Sequence, residues 1–77
     1  MEQKMVDVTL HIDENTTRDQ REGLRDQLLE LEGVMAVDYH DNQPHLMIIE
    51  YNPDHIDSHR LVETAEKRGY HVELVGM

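Results

Sequence analysis

The stretch Gly33-Val34-Met35-Ala36-Val37-Asp38-Tyr39-His40-Asp41-Asn42-Gln43-Pro44-His45-Leu46-Met47-Ile48-Ile49-Glu50-Tyr51-Asn52-Pro53 decides the fold. Two apolar, β-branched runs, Val34 to His40 and Leu46 to Tyr51, flank Asp41-Asn42-Gln43-Pro44-His45, a segment rich in turn formers. That arrangement predicts an antiparallel hairpin. Asn52-Pro53 closes it, because proline has no amide proton to continue a ladder.

On the N-terminal side, Leu24, Leu28 and Leu31 recur at four and three residues with charged residues between them. A helix with one apolar stripe is expected from Thr17 to Leu31, ended by Glu32-Gly33, where Gly33 can adopt the left-handed backbone that terminates helices. Further back, Val6, Val8, Leu10 and Ile12 alternate with Asp7, Thr9 and His11, the period of a strand with one buried face. On the C-terminal side, Asp57 is placed to cap a second helix, with Ile56 and Leu61 as a hydrophobic staple and Gly69 as its end. Tyr70 to Val75 forms the last strand. The order β-α-β-β-α-β predicts an α+β, ferredoxin-like two-layer sandwich, an antiparallel four-stranded sheet in the order four-one-three-two with both helices on one face. The helices are expected to cover Val8, Leu10, Ile12, Val37, Tyr39, Met47, Ile49, Tyr51, Val72 and Leu74.

Composition narrows the function. Seventy-seven residues make a single domain over residues 1–77, with a small core, since a chain of this size buries only roughly 60% of its unfolded surface. The absence of cysteine excludes disulfides, thiolate zinc sites and iron–sulfur clusters. A formal charge of −10, from 17 acidic and 7 basic residues, repels nucleic-acid phosphates and anionic membrane surfaces and suits a basic protein partner or a cation. Met1-Glu2-Gln3-Lys4-Met5 has no basic segment followed by an apolar one, and no run approaches the ~20 apolar residues of a membrane span, so a cytoplasmic monomer or weak dimer is expected.

Gly33-Val34, the pair Val37 and Tyr39, Tyr51-Asn52-Pro53 in place of a common Tyr-Asp-Pro, and Glu66-Lys67-Arg68-Gly69-Tyr70 together resemble the heavy-metal-associated domain family over nearly the whole chain. The resemblance implies the same βαββαβ fold and a soft metal ion held by a Met-x-Cys-x-x-Cys loop after the first strand. It sets Asn15, Thr17 and Gln20 where the Met and two Cys would stand. Thr and Gln supply neither the charge nor the covalency of thiolates. Their spacing is instead that of a capping box, Thr-x-x-Gln. Arg21 stands where the family usually has an apolar residue, and its stem is expected to cross the core edge and leave the guanidinium near Glu14 or the acidic first turn. Domains of this family dock on complementary partners, so an acidic copy without thiolates would keep docking and lose transfer.

Six histidines offer other ligands. Asp54-His55-Ile56-Asp57-Ser58-His59 holds two imidazoles and two carboxylates, types that borderline ions accept, although Asp57 as helix cap sets His55 and His59 apart. His40 and His45 flank the hairpin turn near Asp41. His11 and His71 fall on the exposed sheet face, where strands one and four pair, and are expected to be cross-strand neighbours. No nucleophile-and-base arrangement is recognisable, the loop Asp13-Glu14-Asn15-Thr16-Thr17 would repel phosphate, and Tyr39, Tyr51 and Tyr70 fall on the core side rather than the open face an RNA-binding module would use. No cofactor and no catalysis are expected. Leu46, Ile48 and Val75 point away from both helices and mark a contact face. Two functions follow: an interaction or regulatory module related to metal-ion transport proteins that has lost its thiolates, or a metal-binding module using His and carboxylate ligands.

Overall fold

The computed structural model describes residues 4–75. Met1-Glu2-Gln3, part of the segment read for a targeting signal, and Gly76-Met77 lie outside the described residues. The elements run β1 Val6–Ile12, α1 Arg18–Leu29, β2 Val34–Tyr39, β3 Leu46–Tyr51, α2 Ser58–Lys67 and β4 Val72–Val75. All pairings are antiparallel and the sheet order is β2-β3-β1-β4, as expected from the sequence.

The strand period of two settles which residues face the helices. Val8, Leu10 and Ile12 of β1 and Met47, Ile49 and Tyr51 of β3 are buried under Leu24 and Leu28 of α1 and Leu61 and Ala65 of α2. Each fully buried aliphatic side chain contributes about 1.5–3 kcal/mol, so these two central strands dominate the stability. Tyr39, Val72 and Leu74, expected among the covered residues, and Tyr70, expected on the core side, are only partly buried and pack around this cluster. β2 and β4 are the edge strands.

Three boundaries differ from the sequence reading. α1 ends at Leu29 with Glu30 as cap, and Leu31 turns tightly to bond Leu28 O at 3.1 Å. Gly33, at φ +101°, then steers the chain into β2, and a Cβ there would lie 2.9 Å from Ile56 Cγ2. β2 stops at Tyr39 because His40 already belongs to the turn, its carbonyl accepting from Gln43 at 3.0 Å. β4 starts at Val72 because Tyr70 is used in ending α2: Gly69, at φ +93°, donates to Glu66 O and Tyr70 to Ala65 O, the paired bonds of a Schellman motif.

Gly23 lies inside α1, where glycine costs about 1 kcal/mol relative to alanine. Arg68 explains it. A Cβ at Gly23 would sit 2.7 Å from Arg68 Nη2, whose Nη1 donates to Gln27 Oε1 at 2.7 Å and so ties the end of α2 across α1.

Candidate functional site

The loop between β1 and α1 is held on three sides by protein groups alone. At the start of α1, Thr17 Oγ1 accepts from the Gln20 amide at 3.2 Å and Gln20 Oε1 accepts from the Thr17 amide at 2.8 Å, the reciprocal capping box. Toward the hairpin, Thr16 Oγ1 donates to Pro44 O at 3.0 Å. Toward the α2–β4 junction, both Glu14 oxygens are engaged by His71, one by its amide at 2.8 Å and the other by Nδ1–H at 2.6 Å. The hydrogen bond to Glu14 raises the pKa of His71, and the hydrogen bond from the His71 side chain lowers that of Glu14.

Arg21 closes the hairpin side, and here the structure corrects the sequence reading. The guanidinium is not near Glu14, which His71 occupies, and Arg21 is only 5% exposed. Its Nη1 donates to Thr16 O at 2.7 Å and Thr16 Oγ1 at 3.1 Å, while Nη2 reaches Asp41 Oδ1 at 3.2 Å. The Tyr39 ring lies below it at 5.8 Å, and the Tyr39 hydroxyl donates to Glu22 Oε1 at 3.0 Å. Nε is buried without a partner. The cause was visible in the spacing: Arg21 sits three residues before Leu24 and seven before Leu28, on the apolar stripe, so its stem must run inward.

This arrangement does not fit a soft metal. The oxygens at positions 17 and 20 are already committed to capping, neither is a thiolate, and a buried guanidinium brings a full positive charge to the adjoining turn.

The histidines fall into different company from that expected. His11 pairs with Glu73 in the β1–β4 register, so His71 is not opposite it; His71 carbonyl accepts from Asp13 instead. His11 Nδ1 lies 3.4 Å from Asp13 Oδ1, and its ring stacks on His45 at 5.9 Å between centroids with an 18° interplanar angle. His45 is fixed by Nδ1–H donating to Ile12 O at 2.7 Å, beside the Ile12 amide bond to His45 O at 2.8 Å. His55 borders a shallow depression of about 380 Å³ with Leu31, Glu32, Ile56, Asp57 and Arg60, and Asp57 caps α2 by accepting from the His59 amide at 2.8 Å. Among the described residues no group of three or more His, Asp or Glu side chains is placed to hold a metal ion.

The open face of the sheet carries the expected apolar positions. Ile48 and Val75 are 41% and 42% exposed, Leu46 is half-buried, and Thr9 pairs with both Ile48 and Val75. Around this row the same face presents Asp7, Asp38, Glu50 and Glu73, and no lysine or arginine lies in any of the four strands.

No protein-family model matches the sequence, and no curated protein matches it significantly. Solved structures do match in fold. Oxidised MerP from Ralstonia metallidurans CH34 is 16% identical, with 95% of this chain and 100% of that chain covered and a TM-score of 0.84. The putative copper-ion-binding protein of Bacillus anthracis str. Ames is 18% identical, covering 94% and 100%, with a TM-score of 0.83. The N-terminal domain of a potential copper-translocating P-type ATPase from Bacillus subtilis, in its Cu(I)-loaded state, is 23% identical, covering 95% and 90%, with a TM-score of 0.85. The chain has the fold of a heavy-metal-associated domain. It carries that fold without a single cysteine.

Proposed function

We propose that this chain is a single, non-enzymatic, cytoplasmic member of the heavy-metal-associated family that has lost its thiolate site and acts by binding a basic protein partner through the open sheet face. The observation that carries the reading is the loop itself. Its Thr and Gln are spent on a capping box, and Glu14, Thr16 and Arg21 bind neighbouring elements, so the loop is closed by protein contacts where the family would expose ligands. The structural neighbours include a copper binding domain from a P-type ATPase and the N-terminal domain of a potential copper-translocating P-type ATPase, which supports a role beside such a transporter.

The face supplies what docking needs: an apolar row of Leu46, Ile48 and Val75, ringed by Asp7, Asp38, Glu50 and Glu73. A basic partner gains from that charge distribution, and such attraction weakens as salt rises. A second copy of this chain brings its own negative charge, so self-association is at most weak.

A lysine-rich peptide bearing leucine, titrated while amide shifts are followed, tests this. Shifts centred on Thr9, Ile48 and Val75, lost at high salt and in Ile48→Lys, are expected, with that variant still folded because its side chain is on the open face. Shifts centred elsewhere, or binding that Ile48→Lys leaves intact, would refute the docking face. Ile49→Lys should unfold the domain, since Ile49 is fully buried.

A further inference from the structure

We propose that His11 and His45 form a surface site for a borderline divalent cation such as Zn²⁺, Ni²⁺ or Cu²⁺, a function beyond the docking reading and independent of it. The two residues are brought together by the β1–β3 register. Leu46 pairs with His11, so the residue before it, His45, arrives at the end of the ladder beside the same strand.

A hydrogen bond prepares one of the two ligand atoms. Metal-binding histidines usually give one ring N–H to a backbone carbonyl or carboxylate, which fixes the tautomer and makes the other nitrogen the donor to the metal. His45 does this with Ile12 O at 2.7 Å, leaving Nε2 as its unprotonated nitrogen in the neutral ring. His11 Nδ1 has only a looser contact, 3.4 Å from Asp13 Oδ1. The rings are nearly parallel with centroids 5.9 Å apart. With metal–nitrogen bonds of about 2.0–2.1 Å, the two donor atoms must come within about 4 Å of each other. Only His11 has to tilt, because its tie to an exposed Asp13 is loose while His45 is held firmly.

The neighbouring space suits a hydrated ion. His11, Gln43, Pro44, His45 and Leu46 border an open depression of about 310 Å³. The protein offers two imidazoles and water completes the shell, so affinity is moderate and follows the imidazole preference for Cu²⁺, Ni²⁺ and Zn²⁺ over harder ions. The domain's charge of −10 raises the local cation concentration. His71 is not counted in the pair: Glu73, not His71, lies opposite His11, and the ring contact of His11 is with His45.

The test is a titration of the full chain with ZnCl₂ and NiCl₂ near neutral pH, read by calorimetry and by histidine ring resonances. One equivalent should bind, with the His11 and His45 rings shifting first. His11→Ala, at a partly exposed position whose side chain makes no core contact, should weaken binding at least about ten-fold, the scale seen when even an outer partner of a metal ligand is lost. His45→Ala should do the same, and His59→Ala and His71→Ala should bind as the parent does. Mg²⁺ should not compete. Binding unaffected by His11→Ala, binding weakened equally by His59→Ala, or no binding at millimolar Zn²⁺ and Ni²⁺ would each overturn the proposal. Should His45→Ala fail to fold, His11→Ala and the ring shifts of the parent still decide.

Discussion

Arg21→Leu should leave the stability of this domain nearly unchanged, whereas Arg21→Ala should not. The guanidinium is buried, with Asp41 as an exposed ionic partner and Thr16 supplying two oxygens. Charge-assisted hydrogen bonds contribute about 1.5–3 kcal/mol each before the cost of desolvating the charge, and the unpartnered Nε subtracts about 1–3 kcal/mol. Buried ion pairs replaced by apolar groups of similar size are often neutral or stabilising by about 1–4 kcal/mol. Asp41 is mostly in water already, so losing Arg21 strands no buried anion. Leucine continues the stripe of Leu24 and Leu28, and the net change should be within about 1 kcal/mol by this balance. Alanine removes the same contacts and also the stem, leaving a void over the Tyr39 ring, for a loss of about 2–4 kcal/mol. Thermal unfolding by circular dichroism separates these outcomes, because about 1 kcal/mol moves the midpoint of a domain this small by about 4–8 °C. If Arg21→Leu costs as much as Arg21→Ala, the guanidinium is indispensable to the fold and the argument that its charge roughly cancels its own desolvation is wrong.

Two further outcomes follow from the loop. Thr17→Ala removes the Oγ1 acceptor of the Gln20 amide, while the Thr17 amide keeps its bond to Gln20 Oε1, and should destabilise the protein by about 0.5–2 kcal/mol in urea denaturation; a change near zero would mean that Thr17 is not the cap. Glu14→Gln should move the His71 titration, followed by ring proton shifts, down toward the ordinary imidazole value, because Glu14 is the main cause of its elevation. The raised pKa means that the His71 contribution is complete below about 6.5 and fades as pH rises through the higher folded value. The lowered pKa of Glu14 means that its contribution is present above 4.5 and fades as pH falls through its lower folded value, so the pair supports the fold most between these two limits. A His71 titration unchanged in Glu14→Gln would exclude the contact.

The fold was legible because hydrophobic period and turn chemistry agree along the chain. Alternation in Val6 to Ile12, the Leu24 and Leu28 stripe and the hairpin around Asp41 to His45 each pointed to the element found. The capping box was also legible, since Thr17 and Gln20 interact within one helical turn. What escaped were contacts between residues distant in sequence. Glu14 and His71 meet only after β4 has docked beside β1, and Arg21 meets Asp41 only when the hairpin lies against α1. The expectation that His11 faces His71 failed for a related reason: the β1–β4 register is fixed only when the two strands dock, and it places Glu73 opposite His11. Position 21 did carry a signal, an arginine on an apolar stripe, and burial follows once that stripe is taken to be continuous.

The most direct test of the proposal that this heavy-metal-associated fold has lost its metal site is retention of copper(I) against a thiol competitor, by the parent and by Asn15→Met with Thr17→Cys and Gln20→Cys. The parent should give up its copper at the loop, and the triple substitution should retain one equivalent, because the fold supplies the loop geometry and the substitutions supply the sulfur. Copper held by the parent with shifts centred on Thr17 and Gln20 would contradict the account, and so would a folded triple variant that retains none.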